Sequence, residues 1–169
     1  MSAAPSLAIA PVLLPLVAAA ALLLIGESRR RLASAVNLSA TLAGLLVAAL
    51  LLRQVDAAGE GGAIAVYLTA NWPAPYGITL VADRLSALML LVVAVVGLGA
   101  ALYASAGWSR AGSYFHPLFQ IQLMGVNGAF LTGDLFNLFV FFEVMLAASY
   151  GLQLHGSGIR RVRAGLHYI

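Results

Sequence analysis

Glu143 is the only charged residue in the stretch LFNLFVFFEVMLAASYGLQL, residues 135–154. An ionisable side chain at membrane depth costs about 2.5 kcal/mol or more unless a partner or a hydrated cavity receives it. Glu143 therefore reads as a proton- or ion-handling group. The bland alternative is a packing device, hydrogen-bonded to a neighbouring helix. A helix starting near Asp134 places Glu143 about 13.5 Å along its axis, close to the midplane of a hydrocarbon core of roughly 30 Å. Desolvation favours the protonated carboxyl and a nearby cation favours the charged one. A carboxyl held between those influences can take up and release a proton.

Other polar residues lie close by in sequence. Asp134 follows Gly133 and reads first as a helix N-cap, with a place on a polar path as the alternative. At 100° per residue, the nine-residue spacing puts Asp134 and Glu143 on opposite helix faces, so they do not form a carboxylate pair for hydrolysis or metal binding. Gln120, Met124 and Asn127 share one face of the preceding apolar run, where amide side chains either bond a neighbouring helix or line a hydrated route. His116 and His155 flank membrane edges and read as snorkelling or capping groups rather than ligands. Gly97 and Gly99 read as helix-packing residues. No zinc-protease, paired-histidine or phosphate-loop motif is present, and no metal or cofactor is expected.

These residues require membrane-spanning elements to hold them. The 169 residues are 62% hydrophobic and 9% charged, with a mean hydropathy of +0.97; globular chains run near 45–50% and 25%. That composition predicts an all-α integral membrane protein. Five apolar runs reach bilayer length: 6–26, 32–52, 85–105, 113–132 and 134–154. The first lacks a basic residue before Arg29, so it reads as a retained span and not a signal peptide. The fourth is the least apolar, with Pro117 expected in its first turn.

All basic side chains are arginine, and they cluster between spans. Arg29, Arg30 and Arg31 follow the first, Arg110 follows the third, and Arg160, Arg161 and Arg163 follow the fifth. These alternate segments share a side, which the positive-inside rule assigns to the cytoplasm. The arginines read as topogenic, and the basic balance carries no nucleic-acid signature. The N-terminus then lies outside, together with the loop 53–84 and the Thr132–Asp134 turn. Within that loop Gly59–Gly62 interrupts any helix, and Asn71–Gly77 reads as a proline-punctuated turn between extended segments Ile64–Thr69 and Gly77–Ala82. A small hairpin against the membrane is expected there, with Tyr67, Trp72 and Tyr76 at the interface. Residues 1–169 read as one membrane domain. The ending, Arg163–Ile169, resembles the start of another apolar run, so the sequence is expected to continue. The chain has no cysteine, which excludes disulfides and thiolate sites.

Two segments carry a resemblance: NWPAPYGITLVADRLSALML (71–90) and FQIQLMGVNGAFLTGDLFNLFVFFEVMLAASYGL (119–152). They closely resemble the D-type subunit of the multisubunit (Mrp-type) monovalent cation/proton antiporters, a family similar to the antiporter-like subunits of respiratory complex I. The resemblance implies a larger fold of about fourteen helices, of which this chain would be the N-terminal third. It implies that Glu143, in the FFEVM motif, lies on the proton path and pairs with a lysine on a later helix; this chain contains no lysine. The implied partners are the other subunits of a hetero-oligomeric complex in the bacterial inner membrane, the lipid bilayer, protons, and a monovalent cation, with sodium expected. Two alternatives are a proton-translocating subunit of an NADH:quinone oxidoreductase and an inactive truncated scaffold.

Overall fold

The computed structural model describes residues 7–57, 64–69, 72, 77–156 and 158–167, with Glu27 described by its backbone only. The Gly59–Gly62 interruption, and Asn71 and residues 73–76 of the expected turn, lie outside the described residues. The chain forms α1 (Ala10–Ile25), α2 (Arg30–Asp56), β1 (Ala65–Leu68), β2 (Thr79–Ala82), α3 (Arg84–Ser105), α4 (Phe115–Leu131), α5 (Leu135–Gln153) and α6 (Ile159–Leu166), with short 3₁₀ turns at Glu27–Arg29 and Trp108–Arg110.

Each of the five apolar runs is a helix, and their lengths differ from expectation in instructive ways. The helices α2, α3 and α5 are long and apolar enough to cross a membrane. The first and fourth are trimmed to 16 and 17 residues. Pro11 near the N-terminus of α1 has its φ preset for a helix start and lacks an N–H that would go unbonded there. Tyr114 adopts a left-handed conformation with φ 60°, which no helix continues through, so α4 starts at Phe115. The second helix instead runs past the expected 52 to Asp56. There Asp56 pairs with Arg84 across 3.1 Å and ties the C-terminal end of α2 to the start of α3.

Ile64–Thr69 and Gly77–Ala82 were expected to extend, and strands form within them at Ala65–Leu68 and Thr79–Ala82. β1 pairs antiparallel with β2 in the register Ala65↔Ala82 through Leu68↔Thr79. Leu80 bridges Thr132, and the Gly133 N–H donates to the Thr79 carbonyl at 2.8 Å, so the α4–α5 turn docks along β2. Asp83 then caps α3, accepting from the Ser86 N–H at 2.7 Å, while the Ser86 side chain reaches back to the cap in a reciprocal capping box.

Within the bundle, α4 is central: it packs on α1 and α5 and also touches α3 and α2, whereas α2 packs chiefly on α3 and α1. One apolar cluster lies at the hairpin end, around Leu51, Leu80, Leu90 and Leu131. A second lies at the opposite end, around Ala101, Ala104, Phe115 and Phe119. Gly97 packs on Leu123, while Gly99 faces open space and does not serve the close helix approach expected of it.

The arginine-rich end holds two departures. Residues 159–166, read as a basic tail running into the start of another apolar run, form the amphipathic helix α6. His155 is buried (4% exposed), not a snorkelling group: its Nε2 lies 3.0 Å from the Trp108 carbonyl, and its ring packs against Trp108 and Phe115. Arg161 completes this cluster, with its guanidinium 4.6 Å over the Trp108 ring and an N–H bonded to the His155 carbonyl.

Candidate functional site around helix α5

Helix α5 begins where the sequence suggests. The Asp134 carboxylate accepts from the N–H groups of Phe136 (2.8 Å) and Asn137 (3.0 Å), and the Asn137 side-chain amide also donates to it. The Asn137 hydrogen bonds, followed by that from Phe136, hold the Asp134 carboxyl below its ordinary range. Its position is that of an N-cap; it bonds no residue of another helix among the described residues.

The rotation of α5 is set by glycines on α4. The Phe141 ring lies where a Cβ on Gly128 would be, and a Cβ on Gly125 would sit 3.0 Å from the Met145 backbone nitrogen. Phe141 and Met145 are four apart and thus on one face. Glu143 lies two residues from each, about 200° around the helix from either. It therefore points away from α4. Glu143 is exposed, with exposed Phe139, Phe142 and Leu146 around it. Because α5 packs mainly on α4, nothing among the described residues covers this face or bonds the carboxylate.

Gln120 and Asn127 are brought together on the other side of α4, each bonded to a neighbouring helix. The Gln120 Nε2 donates to the Asn37 side-chain oxygen (2.8 Å), the Asn37 carbonyl (3.2 Å) and the Thr41 hydroxyl (3.1 Å). Thr41 donates in turn to the Asn37 carbonyl at 2.8 Å. All three side chains are buried. The Asn127 Nδ2 donates to the Pro11 carbonyl at 2.9 Å. That carbonyl would ordinarily bond the N–H four residues on, but residue 15 is proline and has none. A cavity of about 20 Å³, lined in part by Gln120, Thr41 and Asn127, lies between them, which is room for about one water. Asn37 and Thr41 were not singled out from sequence. Their four-residue spacing within an apolar helix was the available signal.

No protein-family model matches the chain. Among curated proteins it is 56% identical over 165 residues to a probable K(+)/H(+) antiporter D-type subunit of Rhizobium meliloti (strain 1021), covering 96% of this chain and 30% of that protein. It is 38% identical over 168 residues to the Na(+)/H(+) antiporter D-type subunit of Alkalihalophilus pseudofirmus, covering 97% of this chain and 33% of that one. Among solved structures, the Mrp complex from Dietzia sp. DQ12-45-1b contains a chain that superposes with a TM-score of 0.88 at 36% identity, over 100% of this chain and 31% of its own. The chain resembles the D-type subunit of the Mrp-type antiporters. It spans about a third or less of the length of these antiporter relatives. A more distant match is the N-type subunit of the NADH-quinone oxidoreductase of Desulforudis audaxviator, 38% identical over 136 residues, covering 78% of this chain and 26% of that protein.

Proposed function

We propose that the chain forms part of a monovalent cation/proton antiporter subunit in the bacterial inner membrane, working within a hetero-oligomeric complex, and that Glu143 carries the proton. The carrying observation is the orientation of Glu143. It is the sole carboxylate of α5, it lies near the helix midpoint, and the Gly125–Gly128 lock turns it away from this bundle. A carboxylate left in lipid is costly, so this face is built to meet further helices. A cation presented there favours the charged carboxylate, and its withdrawal favours protonation. Alternating the two loads and releases one proton. Both relatives named as antiporters support a monovalent cation as the exchanged ion, with potassium in one name and sodium in the other.

The oxidoreductase reading shares the carboxylate and differs in what drives it. The antiporter reading is favoured because the matches to the antiporter relatives are longer and one reaches 56% identity. A transporter role, not an enzymatic one, follows from that choice. In everted membrane vesicles of a strain carrying the complete complex, Glu143→Gln should abolish cation-dependent proton exchange, while Glu143→Asp retains part of it. Assembly of the complex should be unchanged. Wild-type exchange by the Gln variant would sink the assignment of the proton to Glu143.

A further inference from the structure

The arginine-rich end of the bundle contains a second cavity, remote in function from Glu143. It encloses about 320 Å³ among the ends of α1, α2, α3 and α4 and the 3₁₀ turn at Trp108–Arg110. Arg30, Arg31 and Arg110 line it, together with the hydroxyl-bearing Ser34, Ser105 and Ser109. Two of the arginines are fixed by backbone carbonyls: Arg110 bonds Ala106 at 3.2 Å, and Arg30 bonds Arg110 at 3.4 Å. In residues 26–31 and 106–114, Glu27 is the single acidic residue against four arginines.

We propose that this cavity holds the phosphate of an anionic phospholipid headgroup from the cytoplasmic leaflet. A guanidinium presents a planar fork of N–H donors that matches two phosphate oxygens at once. The cavity is also lined by the first turns of α2 and α4, and neither helix has a side-chain cap. Their first N–H groups and the positive ends of their dipoles add to the attraction for an anion. Basic pockets between helices on the cytoplasmic side are suited to anionic headgroups. A lipid is favoured over soluble phosphate because Leu22, Phe115 and Pro117 give the cavity apolar walls. At the same end of α1, Leu23 and Leu24 are exposed, Leu24 at 89%, and offer a surface for acyl chains. This inference does not depend on the role of Glu143.

The test uses the complete chain purified in a non-ionic detergent, titrated with phosphatidylglycerol, phosphatidylcholine or inorganic phosphate, with bound lipid counted by native mass spectrometry. Phosphatidylglycerol should be retained and phosphatidylcholine should not. Arg31→Gln/Arg110→Gln should weaken phosphatidylglycerol binding at least tenfold. Arg160→Gln/Arg163→Gln removes as much charge from the same membrane face, outside the cavity, and should leave binding unchanged. If the first pair fails to fold, Arg31→Lys/Arg110→Lys keeps the charge, loses the fork, and should still bind several-fold more weakly. Equal losses in the Arg31/Arg110 and Arg160/Arg163 pairs overturn the site. Binding of inorganic phosphate that fully displaces phosphatidylglycerol at matched concentration overturns the lipid as its source.

Discussion

Pro15 removes the N–H that would bond the Pro11 carbonyl, and Asn127 supplies one from another helix. This pairing gives a direct test of why Asn127 is polar. Asn127→Ala should destabilise the chain by about 0.6 kcal/mol, the average for interhelical bonds in membranes, and by no more than about 1.7 kcal/mol. Pro15→Ala restores the intrahelical bond, so the same Asn127→Ala change should cost much less in that background. A thermal-unfolding double-mutant cycle in detergent reads the coupling, and strict additivity would falsify the account. Gln120 serves two residues at once, and Gln120→Leu strands the Asn37 and Thr41 acceptors; about 1–3 kcal/mol is expected, more than for Asn127→Ala. The polarity of Gln120 and Asn127 was legible in the sequence, and so was their common helix face. Their partners were not, because hydrogen bonds to Asn37 and Pro11 join distant parts of the chain and leave no mark on local periodicity. Burial of His155 escaped for the same reason: the aromatic residues around it come from other segments.

Among the helices long enough to cross a membrane, α5 is the least buried, and it packs mainly on α4. Gly128→Ala would drive a methyl into the Phe141 ring. The expected cost is about 1–3 kcal/mol of overpacking, with α5 displaced and exchange impaired although Glu143 is intact. Phe141→Leu in the same chain should recover part of the loss in both unfolding midpoint and transport. Acid acts on the caps of α5 and α3 alike. Hydrogen bonds to Asp134, chiefly from Asn137, and to Asp83, chiefly from Ser86, lower both carboxyls. A lowered folded-state value means that their contribution is complete above an aspartate's ordinary value of about 3.9 and is lost as pH falls through the depressed values. Asp83→Asn and Asp134→Asn should therefore flatten the acid limb of a midpoint-against-pH curve, leaving pH 5–8 nearly level. The Asp134 cap and the strands were readable because they depend on short-range chemistry: a carboxylate before an apolar run, and proline-flanked extended segments; the Asp83 cap offered the same signal and was not singled out. The glycine lock was not, since Gly125 and Gly128 announce close approach without naming which residues of which helix come close.

Across the whole molecule, apolar packing is concentrated at the two ends, around Leu51 and Leu90 at one and Phe119 at the other. The Gln120–Asn37–Thr41 bonds run between α4 and α2. Sidedness is assigned from arginine placement alone, because topogenic charge is a property of sequence segments and not of packing. It can be checked in a chain that contains no cysteine. Ala57→Cys, at the hairpin end, should react with a membrane-impermeant maleimide in intact cells, and Ser113→Cys only after permeabilisation. The reverse pattern would invert every assignment of side made above. The docking of Thr132 and Gly133 along β2 has a consequence for pharmacology. On the sidedness read from the arginines, the hairpin is a handle on the carboxylate-bearing helix that can be grasped from the periplasmic face. An antibody fragment that clamps β2 should hold α5 at one tilt and inhibit exchange without ever entering the bilayer.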